Sequence, residues 1–313
     1  MKDLLLHLSA SIRDSVRPWV LSAKGGAIVG RAHSGDATFE IDELAEKHLA
    51  SLLRETNEPI ACFSEDRGLV MPQEGEPGWL LIVDPIDGSR NAKSGFESCM
   101  VSIALARYGE HPTLADVTHA LLHEIVGDRM FYAEKSGDTE IAVGGEVGGA
   151  TLSGNDDLSL LRWSLTMPGR PAALVFGVMA DLVDASSVKG GFFSCNSTCY
   201  SISRIMTGQL DAYVDVANRI VRDFPDAENR FRNIAEGRIT GFSSYDIAAA
   251  LLLAKQAGVV ITDAYGDPLE EMALLDVSSA NVRSCVAASN ETLHAKILSY
   301  IEEHMKSFRP VES

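Results

Sequence analysis

Two carboxylates, a tight turn and a hydroxyl stand together in the run Asp84-Pro85-Ile86-Asp87-Gly88-Ser89, directly after the apolar stretch 79–83. Carboxylates this close repel and raise one another's proton affinity unless a cation neutralises them. Oxygen donors suit Mg²⁺ or a similar hard ion. The apolar stretch lacks polar alternation and reads as a strand buried on both faces. Pro85 and Gly88 predict a turn where the chain leaves the sheet, with Asp84 and Asp87 facing one another across it. Other readings remain open. Asp-Pro and Asp-Gly are ordinary turn formers of surface loops. An EF-hand counted from Asp84 would place Ser89 where glycine is required and Gly95 where the closing Glu belongs. An aspartyl nucleophile of the phospho-transfer kind would lack a second carboxylate two residues on.

Two further carboxylates decide between these readings. The strand-like run 59–64 ends in Glu65-Asp66, nineteen positions before Asp84. Far downstream, Tyr245-Asp246 opens an Ala- and Leu-rich helix that stops at Gly258, and a carboxylate in that first turn is favoured by the helix dipole. Read alone, Asp246 is an N-cap and Glu65 a solvated strand end. Their significance lies in the combination with Asp84 and Asp87.

A strand-end Glu, Asp-Pro-Ile-Asp-Gly-Ser and an acidic pair opening an Ala-rich helix, in that order, resemble the inositol monophosphatase family of magnesium-dependent, lithium-sensitive phosphatases. The resemblance extends upstream to Thr38–Glu46 and downstream to Ser197–Asp215, so it covers nearly the whole chain. It implies an α/β (α+β layered) protein, an αβαβα sandwich of alternating helix and sheet layers. It further implies that Glu65, Asp84, Asp87, Asp246 and the carbonyl of Ile86 hold two or three Mg²⁺ ions, with Asp84 bridging. Ser89, paired with Asp42, would orient the attacking water alongside Glu65. Paired metal ions clamp the attacking and leaving oxygens of an in-line displacement, and no covalent intermediate is needed. The amides of Gly88 and Ser89 would receive phosphate oxygens. The resemblance also places substrate contacts at Ser197, Thr198 and Asp215 and implies a homodimer.

The chain departs from the family pattern in places. Ser89 replaces the commoner Thr, Asn196-Ser197-Thr198 replaces a Gly-(Ser/Thr)-Ala stretch, Asp215 stands where a Glu often binds a hydroxyl, and Tyr245 replaces a frequent Trp. Between residues 216 and 244 lies a longer segment with Arg219, Arg222, Arg230, Arg232 and Arg238 and no lysine. Arginine suits forked contacts with phosphate, so the segment reads either as a lid over an anionic substrate or as a solvated helix whose arginines pair with Asp223, Asp226, Glu228 and Glu236.

These residues need a frame. The chain has 313 residues, 46% of them apolar, enough for two lobes, expected at 1–149 and 150–313. A net charge of −17 argues against nucleic acid as a partner and means that an anionic substrate is attracted only where cations or arginines reverse the field. Five cysteines, at 62, 99, 195, 199 and 285, show no zinc spacing and suggest a reducing, cytoplasmic setting. The amphipathic start reads as a first helix rather than a signal peptide, and no run is long enough for a membrane span. Helices are expected near 1–22, 40–55, 176–186, 197–207, after Asp246 and from an Asn290 cap to about 305. Strands are expected near 59–64, 79–84, 99–107, 127–133, 162–167, after the 197–207 helix, and at 259–263 and 284–288, with residues 144–150 as a glycine-rich connection. The expected activity is phosphomonoester hydrolysis of a small polyol, sugar or inositol phosphate. Fructose 1,6-bisphosphate or a 3′-phosphoadenosine nucleotide is the alternative substrate, and a regulatory binder of phosphorylated metabolites the non-enzymatic reading.

Overall fold

Leu5, Leu8, Ile12, Val16 and Val20 recur at three- to four-residue spacing and form the buried stripe of the first helix, α1 (Lys2–Leu21). The computed structural model describes residues 1–309 apart from 34, 36, 57, 238 and 240. After α1 come an antiparallel pair, β1 (Ile28–Arg31) and β2 (Ala37–Phe39), and α2 (Glu40–Glu55). Then follow β3 (Ile60–Ser64), β4 (Gly68–Val70), β5 (Trp79–Asp87), the short α3 (Ser89–Ala92), β6 (Met100–Arg107), β7 (Val117–Glu124), β8 (Arg129–Glu134), β9 (Glu140–Val143) and β10 (Glu146–Gly149). These strands make an eight-stranded sheet in the order β10-β9-β8-β7-β6-β5-β3-β4. The rest of the chain forms β11 (Arg162–Leu165), α4 (Ala172–Ser186), β12 (Gly191–Phe193), α5 (Thr198–Met206), β13 (Ala212–Asp215), α6 (Ala217–Asp223), α7 (Glu228–Ile234), α8 (Ser244–Gln256), β14 (Val260–Thr262), β15 (Cys285–Ala288) and α9 (Glu291–Ser307). Its five strands pair in the order β12-β11-β13-β15-β14.

Side chains alternate along β5, and both sides are dry. Leu81 and Val83 pack with α1 and α2, while Leu80 and Ile82 pack with α5 and α8. That is why the run carries no polar alternation. From the other side α5 and α8 meet Tyr213, Cys285 and Ala287 of the second sheet. The outer face of that sheet, Trp163, Leu165, Val214 and Val286, is covered by α4, α6 and α9. The layers therefore run helix, sheet, helix, sheet, helix, as expected.

Several local expectations are corrected. The turn expected at Pro85 is a bulge, because β5 continues to Asp87, with Asp84 opposite Ser102 and Asp87 opposite Met100. Three residues advance on β5 for two on β6, and a bulge tolerates a proline that has no N–H to give the ladder. The glycine-rich connection is a hairpin, with Gly144 and Gly145 at φ of 57° and 89°, as a tight two-residue turn requires. Strands β1, β2, β4, β7, β9 and β12 were not expected. In β7, His119 and His123 interrupt the apolar run although the strand is central to its sheet. Helix α4 starts at Ala172 rather than near 176, with Pro171 as its N-cap. All five cysteines are free thiols. Among the described residues no helix is long and apolar enough to cross a membrane.

Candidate active site

Strands β3 and β5 are parallel neighbours with Ser64 abreast of Val83, so the register carries Glu65 up beside Asp84. Residues three apart on a regular strand point to opposite faces. The extra residue of the bulge brings Asp87 round to the side of Asp84. The third carboxylate comes from α8, where Ser243 N–H donates to Asp246 at 2.6 Å in a capping box. One oxygen from each of Asp84, Asp87 and Asp246 lies within 4.8 Å of the others. Glu65, Ile86, Gly88 and Ser89 line the same cavity of about 90 Å³, with Glu65 outside that three-carboxylate set.

Asp84 and Asp87 are buried. Burial pushes the Asp84 carboxyl well up, and repulsion from Asp87 and Asp246 adds to it. Burial also raises Asp87, against the Ser197 hydroxyl, which donates to it at 2.5 Å, and the Cys199 amide, which donates at 2.8 Å. Dry, mutually repelling oxygens are the donor set a hard divalent cation satisfies, so these residues fit a metal. Asp42 sits in the first turn of α2 and accepts the Phe39 N–H at 2.9 Å. Burial raises its carboxyl to about 7, with the Phe39 N–H and the Ser89 hydroxyl pulling the other way. The Ser89 hydroxyl donates to the carbonyl of Ile86 at 3.0 Å. Gly88 has φ 95°, and a Cβ there would meet the Ser98 carbonyl at 2.8 Å, so only glycine lets the chain turn here.

The facing wall comes from the loop after β11 and the start of α5: Thr166, Pro168, Arg170, Asn196, Ser197 and Thr198. Ser197 caps α5, and its hydroxyl goes to Asp87, so this expected substrate contact holds a carboxylate of the acidic set in place. Thr198 and Thr166 share the Tyr213 hydroxyl at 3.1 and 2.7 Å. Asp215 does not line the cavity. It lies behind Arg170, accepting its guanidinium at 2.5 Å. Thr166 and Arg170 were not singled out from the sequence. The available signal was Pro168-Gly169-Arg170-Pro171 at the end of a strand, and in this sheet β11 runs parallel to both neighbours, where ligands meet strand C-termini.

The arginine-rich segment folds as α6 and α7. Arg219 is buried, donates to the carbonyl of Ala264 at 2.6 Å and pairs with Asp223 and Glu302. Arg232 pairs with Glu228, and Arg222 lies over the Tyr265 ring. Among the described residues none of these arginines lines the cavity, and Arg238 lies outside the described residues. The segment reaches the cavity through Gly241 and Phe242.

The sequence model described as the inositol monophosphatase family matches residues 9–306. A fructose-1,6-bisphosphatase/inositol-1-monophosphatase of Methanothermobacter thermautotrophicus is 27% identical over 307 residues, covering 96% of each chain. An inositol-1-monophosphatase of Mesorhizobium japonicum is 23% identical, covering 87% of this chain and 85% of its own. Among solved structures, the extragenic suppressor protein SuhB of Bartonella henselae aligns with a TM-score of 0.70 at 16% identity, over 96% of this chain and 98% of its own.

Proposed function

The chain belongs to the inositol monophosphatase family, whose members hydrolyse phosphate monoesters, and from that premise we propose a Mg²⁺-dependent phosphomonoesterase acting on a small sugar, polyol or inositol phosphate. The observation that carries this reading is the meeting of Asp84, Asp87 and Asp246 within 4.8 Å at the floor of a cavity. With Glu65 and the carbonyl of Ile86 they would hold two or three ions. When bound, such ions polarise phosphoryl oxygens and acidify water.

The chain's own groups do the remainder. Glu65 and Ser89 orient the water for in-line attack. Asp42, its carboxyl raised to about 7, is suited to take a proton passed through the Ser89 hydroxyl near neutral pH. The amides of Gly88 and Ser89, at the start of α3, have no acceptor within that helix and would take phosphate oxygens. Ser197 and Thr198 face the substrate. The lobes are read as 1–149 and 150–313, supported by the two separate sheets. Kinship supports, as part of this proposal, a cytoplasmic homodimer sensitive to lithium. Sedimentation tests the dimer.

A bisphosphatase reading has one specific support: two archaeal relatives carry fructose-1,6-bisphosphatase in their names together with inositol-1-monophosphatase. The test is phosphate release from inositol 1-phosphate, fructose 1,6-bisphosphate, sugar monophosphates and 3′-phosphoadenosine 5′-phosphate, with Mg²⁺, with EDTA and with Asp87→Asn. Release that needs metal and disappears in the variant is the expected result. Mg²⁺ binding without any hydrolysis would favour the regulatory binder instead.

A further inference from the structure

The segment 216–244 forms one side of a second cleft, of about 730 Å³, and the turn after β14 with the chain entering β15 forms the other. This cleft and the catalytic cavity share no described residue. Gly241 stands between them, lining the catalytic cavity and packed so closely on Val282 of the cleft that a Cβ would meet Val282 Cγ1 at 2.0 Å.

Two buried polar side chains line the cleft with hydrogen-bonding capacity unused. Asn218 of α6 is 6% exposed, and its Oδ1 is shut off from solvent with no partner. Among the described residues its amide nitrogen has no acceptor either. Asp263 is 4% exposed. Its Oδ1 accepts the N–H groups of Tyr265 and Asp267 at 2.8 and 2.9 Å, while Oδ2 accepts none among the described residues. Around this pair stand charges of both signs that make no ion pair among the described residues: Arg222 and Arg283, Asp267 and Glu271. Arg222 lies 5.3 Å from the centre of the Tyr265 ring, and Arg283 donates to the carbonyls of Ala280 and Val282 through Nη1 alone. Tyr265 thus brings the two signs together, with its N–H on Asp263 and its ring against Arg222. Val221, Met272 and Val282 supply a dry part of the wall.

We propose that this cleft binds a free α-amino acid. Asp263 Oδ2 and the Asn218 carboxamide take its ammonium group, the arginines take its carboxylate, and its side chain lies on the apolar wall. A buried carboxamide without partners costs stability, and a ligand that supplies partners removes that cost. A simple anion would face Asp263, Asp267 and Glu271, and a simple cation would face both arginines, so a ligand carrying both signs is the complementary one. Guanidinium groups suit carboxylate oxygens, and the volume is that of a small-molecule site. No metal ligand or substrate contact of the catalytic cavity takes part, so the inference is independent of the phosphatase reading.

The experiment is calorimetric titration of the full chain, with Mg²⁺ present, using each of the common L-amino acids as probe. The tightest is then compared with its decarboxylated amine and its N-acetyl derivative, which lack one charge each. At least one amino acid is expected to bind with a Kd of about 1 mM or lower, about tenfold or more tighter than either derivative. Asn218→Leu should weaken it about tenfold while the melting temperature holds or rises, because an apolar side chain of similar size replaces an orphaned carboxamide. Arg222→Gln changes an exposed residue, should weaken the amino acid and should leave the amine unaffected. It serves as the readout if Asn218→Leu does not fold. No binding of any amino acid at about 10 mM, an amine or N-acetyl derivative bound as tightly as the parent, or unchanged affinity in both variants overturns the assignment.

Discussion

One wall of the cavity comes largely from a contiguous run of chain, residues 84–89, completed by Glu65 from the neighbouring strand and Asp246 from α8. The facing wall gathers Thr166, Arg170 and Thr198 from a loop and a helix start, with Tyr213 and Asp215 of β13 behind them. The first wall is acidic, and its buried carboxylates repel one another, which is the donor set a hard cation satisfies. The second is neutral as a set, because its one buried cation already has its counter-ion. Under the proposed phosphatase reading, the difference separates reaction from recognition. A cation-hungry wall is specified by backbone geometry within a few residues, whereas a recognition wall can be reset by one long side chain from elsewhere.

The sharpest break in that contrast is Asp87→Asn. It removes the charge of one of three meeting carboxylates, while the Asn amide oxygen can still accept the Ser197 and Cys199 bonds. Turnover should fall by more than the roughly 10- to 100-fold that losing a supporting partner costs a metal site, and calorimetry should show weaker Mg²⁺ binding. On the opposite wall, Arg170→Met alone should act on stability. It strands the buried Asp215 carboxylate, at a cost of about 3–5 kcal/mol visible in chemical denaturation, and adding Asp215→Asn should restore most of it. An equal loss in the double variant would show that the arginine matters for packing rather than for charge.

Proton linkage gives the next test. Asp42, Asp84 and Asp87 have carboxyls raised by burial, Asp42 from 3.8 to about 7. Between those values the folded, metal-free chain binds more protons than the unfolded one, so its stability is greatest at low pH and falls as pH rises through about 7. Thermal melts in EDTA should lose about 4 kcal/mol across that window, on the order of 7 °C for a chain of this size, and saturating Mg²⁺ should lessen the slope. Gly88→Ala should cost about 2 kcal/mol, because it forces a Cβ into a left-handed turn against the Ser98 carbonyl. The smallest effect is expected at an exposed surface pair. Arg31 of β1 pairs with Glu236, both side chains more than half exposed, and Arg31→Ala should change stability by less than about 1 kcal/mol.

The acidic wall was legible in the sequence because its signal is local. Asp84, Asp87, Gly88 and Ser89 sit within six residues, and the apolar strand and Ala-rich helix that bring in Glu65 and Asp246 announce themselves by composition. The bulge was not legible. Pro85 and Gly88 read equally well as a turn, and only pairing with β6 shows that the strand continues to Asp87. Strand β7 was missed because two histidines fall in its run, although both are largely enclosed by neighbours. Arg170 was missed because nothing near it in the chain hints at Asp215, forty-five residues away.

The sequence by itself determined the layered α/β class and the set of carboxylates, since strand burial, turn residues and helix caps act over a few residues. It also determined that the site must be cation-hungry, because closely spaced acids repel whatever surrounds them. Only the tertiary structure decided which side of the strand Asp87 takes, that the Ser197 hydroxyl serves Asp87, and that Asp215 faces Arg170 and not the cavity. Those outcomes depend on which partner reaches a buried polar group first. In a dry interior an unpaired charge is too costly to leave, so that competition is settled by three-dimensional proximity and not by position along the chain.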